Sequence, residues 1–535
     1  MLGKNETVSV AIKRDEDQNE TIYEALISWS DLAPLTASEG AKIGFSMLVN
    51  DNDGQGRKGW IELTPGIGTG KDPSQFAVLV LQKKGVQQPK LELDPNLTQL
   101  SVDTNTVINE FKQYKDVSQG GIKDVLETQY WASMAPWLQK IDSKLIRLDH
   151  VFDDSYYDVV TRKNGQLHFN WERLDKILNE IFAMGAQPFF SLSYMPMALA
   201  KDKENGPYGP PSDYLEWQKL CNELVKHMKV KWNSSGLYYE IWNEPDLSGF
   251  WKGTREEYFE LYRYGSLGIS EADPTAKIGG GGFAGLTWLQ PFLQFVSDRK
   301  LVLDFYSWHN YNFEPESYRG QIQSVKNYLL KFGFTQTETI YSEWNINGLC
   351  AVDNDSFYNA GYAAAVTKIF TEENLSKGLF FMAKDEKRDP ELFGQWGFLT
   401  NRNNPKPVYN FFDVYSRLRG DLVHLDTSNR AIDGFAVKDG ETLRILIYSY
   451  GLQMEFGDPQ TCLLSIELDP SAVGKLYHKD IYVIDSKHSN VSVNPREAGV
   501  KLVQSGEILA TRNTLILNFS IENGGVIFIE LSLKS

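Results

Sequence analysis

Cysteine is scarce. Cys221, Cys350 and Cys462 are the only three in 535 residues, far apart and without CxxC spacing. That excludes a disulfide framework and a thiolate zinc cluster. The seven histidines include no HExxH, so no metal site is expected. Positive charge is also short, with 54 Lys and Arg against 70 Asp and Glu, a net −16 and no basic stripe. Nucleic-acid affinity rests on clustered Lys and Arg, so no nucleic-acid partner is expected. No run reaches the roughly 18 apolar residues of a membrane span, which argues against a membrane partner. The opening MLGKNETVSV lacks the apolar stretch of a signal peptide. One P-loop-like string, GIGTGKD (66–72), has its glycines too close together and Asp72 where Ser or Thr is needed. A bound phosphate cofactor is therefore not called for, and nothing else in the chain asks for a cofactor.

Aromatic residues, by contrast, are plentiful: 13% of the chain, with 13 Trp and 26 Tyr. Large cores or ring faces for stacking sugars both account for that. The length suits two to four domains. Residues 1–90 read as β throughout, in runs such as TVSVAIKR, TIYEALISW and FAVLVLQ separated by turn residues. KKGVQQPK opens a linker, and 91–104 is linker or strand. Over 105–417 short apolar runs alternate with helical periods. The runs are TVINEF, KLIRLDHVF, QPFFSLSYM, LYYEIWNEP, KIGGGGFA, DFYSWHNY, TIYSEWN and GLFFMAKD. Helices are expected after Thr254, where Thr254 and Glu257 fit a capping box, and over 171–184 and 357–370. Eight strands alternating with helices predict an α/β fold, a (β/α)8 TIM barrel. A doubly wound sheet would carry a Gly-rich first turn, which TVINEFKQY lacks. Residues 418–535 return to alternating strands and predict a C-terminal β-sandwich.

In EIWNEPDLSGFW (240–251), Pro245 removes a ladder donor and stops the sheet, so Glu244 stands where strand 4 becomes a loop. Glu343, in IYSEWN, ends strand 7. Barrel active sites gather at the C-terminal ends of strands, so both carboxylates are expected to face one cleft. Two facing carboxylates suit glycosidic cleavage: one neutral, to protonate the leaving oxygen, and one ionised. Their mutual repulsion helps keep one proton on the acid. Asn243, beside Glu244, is placed to bind a sugar 2-hydroxyl.

IWNEPDLSGFWKGTREEYFELY (241–262) closely resembles glycoside hydrolase family 39, a family of retaining clan A enzymes that includes β-xylosidases and α-L-iduronidases. FGQWGFLTNRNNPKPVYNFF (393–412) resembles that family's passage after strand 8. The resemblance implies that Glu244 is the general acid/base and Glu343 the nucleophile. It implies a substrate-binding role for Asn243, and for His309 and Tyr311 in SWHNY beside the nucleophile. It also implies one for Arg147 in LIRLDH as the strand-2 arginine that orients the nucleophile. An arginine there would favour an ionised carboxylate. Asp149 and His150 line the glycone pocket or pack behind it. Phe250 and Trp251 are rim stacks for the leaving-group sugar or core anchors. Trp344 floors the glycone site or packs behind strand 7.

The strand-8 end, FFMAKDEKRD, departs from an aromatic-rich xylosidase pattern, being charged from Lys384 to Asp389. Lys384 binds a carboxylate or a second sugar's hydroxyls, or belongs to a solvated loop. The family resemblance makes xylose the first expectation for the glycone, and this departure keeps arabinose-containing or uronic-acid side chains as alternatives. VNDNDGQGRKGWIELTPGIGTGKDPSQFAVLVL (49–81) resembles the end of a family 9 carbohydrate-binding module, about half of which is present. Trp60 in it is a sugar platform or a core residue. Carbohydrate is the expected partner, and the alternative of another class is a non-catalytic carbohydrate-binding barrel. The module likeness favours export, although no signal segment is visible. Oligomeric state is left open.

Overall fold

The computed structural model describes residues 97–454 and 457–534 throughout. Further toward the N-terminus it describes the six strands named below, together with residues 27–29, 38 and 47. The chain divides into two compact units, Met1–Asp94 and Pro95–Ser535.

The first unit contains three antiparallel pairs: Ser9–Asp15 with Glu20–Leu26, Lys42–Phe45 with Ala77–Val80, and Leu48–Asn52 with Arg57–Glu62. Trp60 lies on the last of these strands, but its side chain is outside the described residues, so neither reading of it is decided.

The second unit is built on a closed parallel barrel. Its strands, in chain order, are Asp116–Gln119, Leu145–Leu148, Gln187–Ser191, Tyr238–Ile241, Lys277–Phe283, Phe305–Tyr311, Glu338–Asn345 and Lys377–Phe381. They are numbered 1 to 8 below. A helix follows each strand, from Tyr130–Lys140 after strand 1 to Pro407–Ser416 after strand 8. The helix after strand 4, Arg255–Ala272, begins with the expected capping box, in which Thr254 and Glu257 satisfy each other's backbone N–H. Helices Glu172–Ala183 and Tyr358–Glu372 fall where the 3.6-residue period placed them.

Seven of the eight expected barrel strands are present, and the first is a correction. TVINEF does not enter the barrel. It is the end of a long strand, Thr98–Glu110, which pairs antiparallel with Asp421–Thr427 and parallel with Pro459–Glu467. The reason lies in its pattern. Leu100 and Val102 are buried in alternation with exposed neighbours, and Val107 and Ile108 are more than half exposed. A parallel barrel strand is covered on both faces. The true strand 1, DVSQ, carries no apolar run: Val117 is its one apolar residue, beside the buried polar Ser118 and Gln119.

Thr98–Glu110 instead sits inside a nine-stranded sheet otherwise formed by residues after 420. Leu464, Leu515 and Leu517, from one end of its strand order, share a core with Ile445 and Ile529 from the other half. This sheet is tied to the barrel through helix Pro407–Ser416, where the Asn410 amide donates to the carbonyls of Ser489 and Ala498 (2.7 and 2.6 Å).

An apolar layer of Phe189, Phe305, Ile340 and Leu379, with Tyr238 packed on it, fills the lower barrel. Side chains alternate along a strand, so two residues on from Phe189 and Tyr238 the same face carries Ser191 and Glu240. From that level upward the barrel interior is polar.

Candidate active site

Arg147 on strand 2 is fully buried and organises this polar interior. Its Nη1 donates to Glu343 Oε1 (2.6 Å), its Nε to Glu240 Oε2 (2.8 Å) and its Nη2 to Asn243 Oδ1 (2.7 Å). Ser118 and Ser191 each accept at 3.2 Å. Burial disfavours its charge, but Glu240 and Glu343 outweigh burial and raise its pKa further. A buried cation of this kind requires such partners.

Glu343 and its neighbours depend on a bulge. Trp308 pairs with Tyr341, yet His309 pairs with Glu343, leaving Ser342 as an extra residue on strand 7. Two consecutive side chains thereby face inward: Ser342 Oγ lies 3.1 Å from His309 Nε2, and Glu343 Oε2 accepts from the Tyr311 hydroxyl at 2.5 Å. His309 Nδ1 lies 2.8 Å from Glu244 Oε1 and 3.6 Å from Glu343 Oε2, bridging the two acids. Burial raises the pKa of Glu343, and nearby Glu244 adds to this, while His309, Arg147 and Tyr311 pull it down; the net direction is upward. For His309 burial acts to lower the pKa, but Glu343 and Glu244 reverse that and raise it. The expected effect of Arg147 on Glu343 is therefore present but exceeded by burial.

Glu244 lies past strand 4, on a backbone that departs from the ordinary regions. Trp242 and Glu244 have φ of 82° and 48°. Such left-handed non-glycine positions persist only where their surroundings fix them. Here the Glu244 N–H donates to the Gly282 carbonyl (2.8 Å), and the Asp246 carboxylate accepts from the Ala284 and Gly285 N–H groups. The loop after strand 4 is thus fastened to strand 5 and its following turn. Asn243, almost fully buried, donates to the Tyr194 hydroxyl at 3.0 Å while its oxygen serves Arg147.

Asp149 and His150 adjoin this group. Asp149 Oδ1 accepts from the Ser193 hydroxyl (2.5 Å), and Asp149 Oδ2 pairs with His150 Nδ1 (3.0 Å). Burial opposes the Asp149 charge, yet His150 and Arg147 hold its pKa below the usual carboxylate range. The His150 ring lies against Tyr156 and Tyr194. Phe250 is half-buried, stacked on Tyr194 with centroids 6.1 Å apart.

Three expected site residues lie elsewhere. Trp344 follows Glu343 on the strand and so points to the opposite face, where it packs fully buried against Tyr318, Phe370 and Phe380. Trp344 therefore packs behind strand 7, the second of its two expected roles. Trp251 is likewise buried against Trp242 and Tyr258, with its indole N–H donating to the Thr254 carbonyl, which makes it a core anchor. Lys384 is buried rather than part of a solvated loop. Its ammonium lies 5.3 Å over the Tyr130 ring, and no contact among the described residues joins it to Glu244 or Glu343.

Glu240, Tyr194, Ser193, Ser342 and Asp246 were not anticipated. Only Glu240 carried a signal, as an acid inside the apolar run LYYEIW. Among the described residues, Glu244, His309 and Glu343 form the one group able to hold a metal ion jointly, with donor atoms within 4.8 Å of one another.

Residues 101–490 match the description of glycosyl hydrolases family 39. The chain belongs to glycosyl hydrolase family 39. Residues 3–84 match a carbohydrate family 9 binding domain-like description. Curated relatives include a beta-xylosidase of Caldicellulosiruptor saccharolyticus, 26% identical over 324 residues, which are 54% of this chain and 66% of the relative. This chain thus spans just under two thirds of that relative's length. A beta-xylosidase of Geobacillus stearothermophilus is 25% identical over 398 residues, 64% of this chain and 75% of the relative. Among solved structures, a monomeric beta-xylosidase from Caulobacter crescentus CB15 has the same fold, with a TM-score of 0.73 at 17% identity, covering 82% of this chain and all of the other. Family membership and these relatives make the chain an O-glycosyl hydrolase.

Proposed function

We propose that this family 39 member is a retaining glycosidase, with xylose-type glycosides of plant oligo- and polysaccharides as substrates. Glu343 is the nucleophile and Glu244 the acid/base. The observation that carries this reading is the closeness of the two carboxylates, whose nearest donor atoms lie within 4.8 Å across His309. Retaining pairs stand about 5–5.5 Å apart, whereas inverting pairs need roughly 6.5–9.5 Å to seat a water.

In the first step a Glu343 oxygen bonds to the anomeric carbon as the glycosidic C–O bond breaks. The Glu244 proton goes to the departing oxygen. In the second step Glu244 takes a proton from water, the water oxygen bonds to the anomeric carbon, and the Glu343 ester bond breaks. Arg147 and Tyr311 hold the Glu343 oxygens in place, and His309 orients Glu244. The Asn243 amide spends one N–H on Tyr194 and has a second for the sugar 2-hydroxyl. Residues 3–84 would keep the enzyme on polysaccharide. Release of nitrophenol from a panel of aryl glycosides tests the reading. Turnover of 4-nitrophenyl β-xyloside is expected, and hydrolysis of none of the panel would leave a sugar-binding barrel instead.

A further inference from the structure

Glu240 is a third carboxylate in the barrel, and the two-step reaction gives it no task. It is fully buried on strand 4, and its Oε2 takes both Nε and Nη2 of Arg147, at 2.8 and 2.6 Å. Its Oε1 is buried and accepts no hydrogen bond among the described residues. A buried carboxylate oxygen without a donor is costly, so a purely structural role would be served better by an apolar or amide side chain. Strand 5 is also shaped around it. Gly282 has a φ of +46°, and a Cβ there would stand 3.0 Å from Glu240 Oε2. The carbonyl of the same glycine holds the Glu244 N–H.

We propose that Glu240 is a positioning residue for the nucleophile. By sharing Arg147 with Glu343, it sets how much positive charge the nucleophile receives and so the pH at which Glu343 ionises. The guanidinium divides its edges between the two acids, Nε and Nη2 toward Glu240 and Nη1 toward Glu343. The charged and titratable groups around this trio include Asp149 on the strand-2 side, Tyr194 after strand 3, which holds the Asn243 amide, Glu244 after strand 4, and His309 and Tyr311 on strand 6. Tyr258, whose ionisation Glu240 opposes, lies on the helix after strand 4. Each of the others already has its own partner: Asp149 has His150, Glu244 has His309, and Tyr311 has Glu343. Glu240 is left as the group that competes with Glu343 for Arg147.

The test is the acid limb of kcat/KM for 4-nitrophenyl β-xyloside, or whichever aryl glycoside of the panel is turned over. Glu240→Gln keeps the shape and removes the charge, leaving more of Arg147 for Glu343. The limb should move to lower pH, so that the fraction of maximal activity retained on the acid side rises several-fold. Glu240→Asp keeps the charge but withdraws it from Arg147, and it should move the limb the same way by less. If Glu240→Gln does not fold, Glu240→Asp alone decides. A limb that stays put while activity falls equally at every pH, or that moves to higher pH, overturns the proposal. The inference rests on Glu343 being the nucleophile. Full turnover in Glu343→Gln would sink that reading itself, whereas a dead Glu343→Gln beside an unmoved limb sinks only the role of Glu240.

Discussion

On the proposed double displacement, replacing Glu244 with alanine should separate the two steps. The Glu244 side chain is mostly buried at the barrel mouth and is held by His309 at 2.8 Å. Its loss leaves the Arg147–Glu343–Tyr311 contacts in place, since none of them passes through Glu244. His309, freed from Glu244, still has Glu343 within 3.6 Å. The variant should therefore fold and keep its nucleophile. For a sugar leaving group the lost proton donor should lower kcat/KM by about 10²–10⁴, the range typical of general acid catalysis. At about 1.4 kcal/mol per tenfold, that is roughly 3–6 kcal/mol of barrier. Dinitrophenolate departs without a proton, so with that substrate the first step should stay near the parent rate. The second step should then lag, because Glu244 also activates water. A stopped-flow trace should show a burst of dinitrophenol followed by slow turnover. Azide, which needs no base, should restore turnover. Glu343→Gln should instead lose several orders of magnitude with every leaving group. A uniform loss in Glu244→Ala together with a steep leaving-group dependence in Glu343→Gln would mean the roles are exchanged.

The pH profile of kcat/KM should fall on its acid side at a pH above the ordinary carboxylate range. Burial raises the Glu343 pKa, and the ionised form that attacks is populated only above it; a limb at or below the usual range would contradict this. Trp344→Ala should cost about 3–5 kcal/mol of stability in denaturant titration, as for a large buried aromatic residue, while KM of whatever protein folds stays near the parent value. A rise in KM with unchanged stability would return Trp344 to the sugar site. Removing residues 1–94 should leave turnover of small aryl glycosides intact and weaken retention on insoluble polysaccharide in a pull-down. Lost aryl-glycoside turnover in the folded truncation would show that the first unit builds part of the cleft.

What was legible followed from local pattern. Pro245 after Glu244 marks a strand end whatever surrounds it, and short apolar runs between helical periods gave strands 2 to 8. Strand 1 is hidden because Asp116, Ser118 and Gln119 leave it one apolar residue, and a hydropathy pattern passes over it. Trp344 stayed between two roles because which face Glu343 takes is set by the bulge at Ser342, and a bulge depends on the neighbouring strand. Trp251 and Phe250 are adjacent aromatics with opposite fates, decided by helix packing that no short window contains. Glu240 lay in plain view beside WNEP, but its meaning depends on Arg147, 93 residues earlier in the chain.

The anomeric configuration of the first-formed product tests the central claim most directly. Proton NMR during hydrolysis of an aryl glycoside reads it before mutarotation. Donor atoms of the two carboxylates within 4.8 Å fit the short retaining spacing better than the wider inverting one, so the released sugar should have the same anomeric configuration as the substrate. First appearance of the opposite anomer would mean that Glu343 activates water rather than attacking, and the double-displacement account would fall.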